Sequence, residues 1–353
     1  MERDCYMAEE ETLISYRVDH LPMVAQFIED IGMIDLIDSQ AGTHFNEILT
    51  TGETVAAMVI MALGFVSRPT YLSPQFFESK ALELIIGNNK TKKEKKDKVL
   101  PEHFNDDKLG RVLDKIYEIG PDTLFQTIAF SAARKEKLKV PSLHEDTTTH
   151  SFYGIYDGDL ASGISSKVNS FEPCTAKIEY GFSKDRREDC KQLVQELLVS
   201  SDGDVPMMMK IHSGNASDVK LFQERMKELK QQFIDADDLT PEFIVADSKF
   251  YNEKNIIACT KELPKWVTRI PDNITEAKNA MLAAYKNNSW INLVNNDKKS
   301  KLSYVESKIE RYGVEQRFIV VISDAGLARA RATVSRQMKA EEAKLQEEIK
   351  KYS

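Results

Sequence analysis

The sequence predicts a mixed α/β protein in which helices come first and a sheet-bearing core follows. Three observations lead there. Through the first 136 residues the apolar side chains recur at helical spacing. Beyond residue 137 short β-branched runs appear, and strand and helix then alternate, which suggests a mixed sheet. The composition, 42% hydrophobic and 29% charged over 353 residues, is that of an ordinary globular chain. That length is enough to bury a core without staples, and at roughly 150 residues per domain it suggests two or three domains. The expected division is a helical domain over 1–136, the first part of a core over 137–271, and the start of an insertion over 272–353 with a strand and a long terminal helix.

The elements follow in order. Leu21, Val24, Ile28, Ile31 and Ile34 recur at helical spacing, so one face is buried. Thr54 to Phe65 is apolar nearly all round, as a helix in the middle of a bundle would be. Asn105 or Asp106 is placed to cap a helix whose Leu109, Val112, Leu113, Ile116 and Tyr117 form one stripe, and Gly120-Pro121 ends it. Another helix is expected from Asp122 to Lys135. The run Lys90 to Lys98 reads as a solvated loop or as a strip that contacts phosphate. Strands are expected from Lys139 to His144 and on into the threonines at 147–149, then at Ala176–Phe182, at Pro206–His212, at Pro241–Asp247, at Trp266–Ile270 and at Phe318–Ser323. Helices are expected over Asp218–Ile234, Glu253–Lys261 and Thr275–Lys286. From Gly326 the chain becomes an amphipathic helix with nothing of its own to pack on, as in an incomplete product or a helix that docks elsewhere. No internal repeat is present.

Several classes are disfavoured. Fifteen Gly and eleven Pro are too few for collagen-like or low-complexity character. The longest apolar run, Val55 to Val66, is shorter than the roughly 20 residues that span a bilayer, and the N-terminus lacks a signal pattern. Cysteines 5, 174, 190 and 259 form neither a metal knuckle nor a disulfide framework and read as reduced cytoplasmic thiols. A net charge of −8 argues mildly against a dedicated nucleic-acid binder. Local basic patches can override that sum, because charge acts over about 10 Å at ordinary salt.

Two aspartates stand out. Asp146 lies in or at the edge of a strand. Asp247 ends the buried run Phe243-Ile244-Val245-Ala246. A carboxylate at the end of a buried strand is costly unless it is paired or holds a cation, and ligands bind at strand carboxyl ends in open α/β sheets. If the two strands are neighbours, the pair could share Mg²⁺ or Mn²⁺, since hard dications take oxygen ligands. The plainer reading makes each aspartate a turn or helix cap, or half of a salt bridge; Asp247 could cap a turn through Ser248. Lys184, Arg186 and Arg187 likewise have two readings. They contact DNA phosphate, or they form a solvated turn with ion pairs to Asp185, Glu188 and Asp189. His144 and His150 lack zinc spacing, and Trp266 and Trp290 read as core rather than base-stacking platforms. Gly214-Asn215 reads as a turn.

Ordered blocks carry a family resemblance. They are His144-Glu145-Asp146-Thr147-Thr148 with Tyr153-Gly154, Tyr180-Gly181-Phe182-Ser183-Lys184-Asp185-Arg186-Arg187, Ser213-Gly214-Asn215-Ala216-Ser217-Asp218, and Val245-Ala246-Asp247-Ser248 with Asn255-Ile256. They resemble prokaryotic DDE transposases of the insertion-sequence-four superfamily, sixteen-thirty-four type. The stretch from Ile31 through Phe65 and His103 to Asp107 resembles the helical domain that precedes the core in that family. The resemblance implies an RNase H-like core, with Asp146 as the first catalytic acid and Asp247 as the second. It implies Mg²⁺ or Mn²⁺ on both, DNA as the partner at the element's terminal inverted repeats and target, and homo-oligomers in the DNA complex. It also implies a cytoplasmic, nucleoid-associated setting. The family's third acid is a glutamate within a tyrosine–arginine–glutamate–lysine pattern that this sequence does not show. Glu306, Glu310 and Glu315 lie near Tyr304, Arg311 and Tyr312, in a stretch that looks like the β-rich insertion before that glutamate. The chain is therefore expected to end before the third acid and to be inactive alone. A non-catalytic DNA-binding protein and an RNase H-like nuclease are the alternatives.

Overall fold

The computed structural model describes residues 15–16, 18–44, 46–64, 69–86, 99–156, 176–184, 186–216, 239–260, 265–293 and 301–352. The charge run at 90–98, the expected helix at 218–234, Cys5, Cys174, Asp185 and most of the lysine-rich stretch before Leu302 lie outside these residues. Two compact units divide the chain. The first lies within Met1–Ser217 with Asp235–Glu242, and the second takes in Phe243–Ser353.

In the first unit, helices α1 (Leu21–Asp30), α2 (Met33–Ala41), α3 (Thr51–Leu63), α4 (Ser73–Glu78), α5 (Leu82–Ile85), α6 (Asp106–Ile119) and α7 (Pro121–Lys135) precede the strands. The apolar stripe expected over 21–34 is real, but it belongs to two helices. Gly32 sits at φ 70, and the chain turns there before α2 starts. Left-handed backbone is cheap only for glycine, so the break is local chemistry. Leu21, Ile28 and Ile31 are buried and pack with Ile37, Ile60, Phe77 and Phe104 in one cluster. The Phe77 and Phe104 rings lie 4.2 Å apart.

Helix α3 is buried nearly all round, as expected, and begins on a reciprocal cap. Thr50 Oγ1 accepts from Glu53 N at 3.1 Å, and Thr50 N donates to Glu53 Oε2 at 2.9 Å. Its first turn lies against α2, where Gly52 N donates to Asp38 Oδ1 at 2.7 Å. Burial pushes the Asp38 carboxyl above its ordinary value, against the opposing pull of that hydrogen bond. Asn105 caps α6 by accepting from Lys108 N at 3.0 Å.

Three antiparallel strands complete this unit: β1 (Ser142–Phe152), β2 (Lys191–Ser200) and β3 (Pro206–Ser213). β2 lies between the others. Asp146 stands opposite Leu197, and Leu197 opposite Met209. A register shift between Leu198 and Val199 bends the β2–β3 pairing. Helix α7 packs on β3.

β2 is the element that periodicity misses. Every second residue of it is buried, but those residues are Gln192, Val194, Glu196, Leu198 and Ser200. Polar groups on the inner face hide the alternation. Glu196 is fully buried, and its Oε2 lies 2.8 Å from His212 Nε2 on β3. The expected strand at Ala176–Phe182 is a correction in the other direction, since only the bridge Glu179–Gln192 forms there.

The second unit starts with the parallel pair β4 (Phe243–Ala246) and β5 (Lys265–Thr268), joined through α8 (Glu253–Thr260). Helix α9 (Thr275–Asn287) follows, then an antiparallel sheet in the order β6 (Ile291–Leu293), β7 (Leu302–Arg311) and β8 (Val314–Ser323). Helix α10 (Asp324–Tyr352) ends the described chain, and its Val334, Met338, Leu345 and Ile349 are exposed. Among the described residues no helix is long and apolar enough to cross a membrane.

Gly52 offers a test of the α2–α3 contact. A Cβ there would lie 2.4 Å from the Ile34 carbonyl oxygen. In an open helix Gly→Ala stabilises by about 1 kcal/mol. Here the obstacle is backbone, so Gly52→Ala is expected to destabilise by on the order of 1–3 kcal/mol in urea unfolding. Increased stability would contradict the packing.

Candidate functional site

β1 exposes His144, Asp146, Thr148 and His150, while Leu143 and Thr149 on the alternate positions are buried. This is the two-residue period of a pleated strand with one wet face. Asp146 is 83% exposed. One of its oxygens, Oδ1, accepts from Thr147 N at 2.8 Å and from Lys184 Nζ at 3.3 Å. The lysine also donates to Thr147 Oγ1 at 2.8 Å and to the Thr147 carbonyl oxygen. His150 Nε2 lies 2.6 Å from Gln195 Oε1 on the neighbouring strand, so this histidine is part of the sheet surface.

The segment that carries Lys184 is held by a close approach of three backbones. Gln192, buried on β2, donates from Nε2 to Gly214 O at 2.8 Å and to Phe182 O at 3.2 Å. Gly214 N donates to Lys177 O at 3.0 Å. A Cβ on Gly181 would fall 1.9 Å from Gly214 O, so these glycines are required by contact rather than by dihedral angle. Gly214-Asn215 forms the expected turn after β3. Beyond Lys184, the buried Ser183 hydroxyl accepts from Arg187 N at 3.1 Å, and Arg186 lies at φ 59 and is exposed.

Arg187 is committed within its own turn. Its Nε and Nη2 donate to Asp189 at 2.8 and 2.7 Å, and Nη1 donates to Tyr153 Oη at 2.6 Å. The guanidinium also lies 5.1 Å from the Tyr153 ring centre. These hydrogen bonds hold the Asp189 carboxyl well below the usual carboxylate range. Of the three basic residues singled out by sequence, Arg187 and Lys184 thus have internal partners among the described residues, the first at Asp189 and the second at Asp146. Tyr153, which contacts Arg187, and Tyr180 and Phe182, which precede Lys184 in the chain, are exposed, and Lys191 Nζ lies 5.9 Å from the Tyr180 ring centre.

In the second unit Asp247 follows β4 directly and is exposed. Its Oδ1 accepts from Lys249 N at 2.9 Å, which caps the short turn Ser248–Phe250 as the plainer sequence reading had it. Its carbonyl accepts from Thr268 Oγ1 at 2.6 Å, which ties it to the end of β5. Each aspartate therefore has one oxygen oriented by a backbone N–H. No described group donates to the other oxygen. Exposed carboxylate oxygens with that freedom suit a hard dication. Among the described residues no three His, Cys, Asp or Glu side chains cluster as a complete metal site.

The glutamates near Tyr304 lie in the β7–β8 hairpin. Glu306 pairs with Arg317, and Glu315 with Lys308 at 2.8 Å. Trp266 is half-buried, with its ring 5.6 Å from Phe250, and Trp290 packs on Tyr285 at the same distance.

Residues 163–341, half of the chain, match the family described as "Transposase DDE domain". Residues 13–130 match a "Domain of unknown function (DUF4277)". The chain belongs to the transposase DDE domain family. No curated protein matches it. Among solved structures, the piggyBac transposase synaptic complex with hairpin DNA is similar at 12% identity and a TM-score of 0.34, covering 86% of this chain and 60% of that one. The Mos1 transposase paired-end complex with left transposon end is similar at 10% identity and a TM-score of 0.24, covering 77% of this chain and 90% of that one. The chain thus spans 60% of the length of the piggyBac chain.

The glycine contacts yield a prediction about the Lys184 segment. A Cβ on Gly214 would lie 2.1 Å from Gln192 O and 2.3 Å from Glu179 O. Gly214→Ala is expected to cost on the order of 1–3 kcal/mol and to speed limited proteolysis between residues 179 and 190. Unchanged melting and cleavage would show that the backbones are not held there.

Proposed function

We propose that this chain is a DDE transposase of an insertion sequence, of the prokaryotic insertion-sequence-four, sixteen-thirty-four type, with an RNase H-like core. The observation that carries the reading is the transposase-domain match over 163–341, which includes Asp247. The exposure of Asp146 on β1 leaves that carboxylate accessible to a cation. Asp146 and Asp247 are the proposed metal ligands, and Mg²⁺ or Mn²⁺ is the proposed cofactor. Bound divalent ions of this kind supply activation of a water or 3′-hydroxyl and stabilisation of the leaving oxygen in phosphodiester chemistry.

The chain's own residues prepare for that chemistry. Thr147 N and Lys249 N each fix one oxygen of a carboxylate and leave the other open. Thr268 anchors the backbone of Asp247. Lys184 and Arg186, with the exposed aromatics Tyr153, Tyr180 and Phe182, are the proposed surface for DNA at the element's terminal repeats and target. Arg187 acts there by shaping the turn, because its fork is already filled by Asp189. The working complex is proposed to be a homo-oligomer on DNA in the cytoplasm.

A second reading, a non-catalytic DNA-binding member of the family, is favoured by one observation. The resemblance puts a third acid within a tyrosine–arginine–glutamate–lysine pattern, and the 353 residues do not contain that pattern.

One experiment separates the readings. The purified chain should retard a duplex carrying the DNA that flanks its own gene, and Mg²⁺ should convert binding into strand nicking. Asp146→Asn or Asp247→Asn should lower nicking by on the order of 100-fold while the retardation persists. Retardation that no metal converts into nicking would favour the non-catalytic reading. Neither retardation nor nicking would contradict both.

A further inference from the structure

The two roles open to Lys184 exclude each other at any one moment. An ammonium has three N–H donors. Here its partners are Asp146 Oδ1 at 3.3 Å, Thr147 Oγ1 at 2.8 Å and the Thr147 carbonyl. All three lie at the proposed first carboxylate, so this lysine cannot serve a phosphate from its present position. It cannot share Asp146 with a dication without repulsion either, since two positive charges would then crowd one oxygen pair. The placement is built rather than incidental. Ser183 next to it is buried, and Gln192 on β2 pins the Phe182 carbonyl before it. Yet Lys184 keeps 34% of its side chain exposed and Asp146 83%, so both can exchange partners. An ion pair this open holds weakly.

We propose that Lys184 is the resident counter-ion of Asp146 in the DNA-free protein, and that it moves its ammonium to a DNA phosphate when DNA binds. DNA binding and metal loading are then coupled through one side chain. This rests on the reading of Asp146 as a metal ligand. By thermodynamic reciprocity, whatever factor DNA adds to metal affinity, the metal adds to DNA affinity. In the free protein the lysine keeps the first carboxylate neutralised, which restrains metal loading until a phosphate is present to take the charge away.

The test is a calorimetric Mn²⁺ titration of the full chain, without DNA and with a short mixed-sequence duplex. Lys184→Gln keeps a hydrogen-bonding side chain and removes the charge. It should bind Mn²⁺ about three- to tenfold tighter than wild type without DNA. Lys184→Arg, which keeps the charge, should stay near wild type. Adding Asp146→Asn should abolish the gain. The duplex should tighten Mn²⁺ binding in wild type and leave Lys184→Gln unmoved. Equal or weaker binding by Lys184→Gln, with Asp146→Asn still weakening wild type, would overturn the counter-ion role and leave Asp146 as a ligand. Mn²⁺ affinity indifferent to the duplex in wild type would overturn the exchange. No effect of Asp146→Asn in wild type would overturn both this inference and the metal-ligand reading beneath it.

Discussion

A pleated strand sends alternate side chains to opposite faces, and in β1 that rule separates structure from chemistry. Leu143 and Thr149 go inward and hold the strand, while His144, Asp146, Thr148 and His150 go to water. A slip of one residue in the pairing with β2 would bury Asp146 and expose Leu143. The register Asp146–Leu197 is therefore what makes a carboxylate available at this place. β2 supports it from the far side with an inner face that mixes Val194 and Leu198 with Gln192 and Glu196. The two polar members are not idle. Gln192 holds the segment before Lys184, and Glu196 is matched by His212.

How much of this could be read from the sequence depends on whether the relevant physics is local. Helix ends were legible where a cap or a Gly-Pro break marks them, as at Asn105 and Gly120, but not at Gly32, where the apolar stripe runs on across the break between α1 and α2. The strand ending at Asp247 was legible from four consecutive apolar residues. β2 was not, since its buried polar residues break the pattern that periodicity relies on. The opposite error at Ala176–Phe182 has the same root, because β-branched and aromatic content suggests a strand whose partners the fold supplies only at Glu179. At the site, the two aspartates stood out by position. The contact of Lys184 with Asp146 did not, because 38 residues separate them and only the turn held by Gln192 and Gly214 brings them together. Nearby acids at 185, 188 and 189 were the natural guesses for that lysine. Arg187 does use one of them.

The plain and the functional readings of the two aspartates turn out to be compatible. Each uses one oxygen in local structure, Asp146 with Thr147 N and Asp247 with Lys249 N. An oriented carboxylate is a better ligand than a free one, because its rotamer has already been chosen before a cation arrives. A capping aspartate and a metal-binding aspartate are thus not rival descriptions. The backbone N–H that holds the first oxygen, in β1 for Asp146 and in the turn after β4 for Asp247, fixes the direction of the second. The same economy holds at Arg187, where a filled guanidinium serves by fixing the turn from which Lys184 and Arg186 project.

The most direct measurement is iron-directed cleavage of the protein itself. Fe²⁺ loaded in place of the proposed Mg²⁺, with ascorbate and peroxide, cuts the backbone wherever a metal is held. Fragments ending within a few residues of Asp146, lost in Asp146→Asn, are the result predicted by its proposed role. Cuts elsewhere that Asp146→Asn leaves unchanged would contradict the proposed role of Asp146 as a metal ligand.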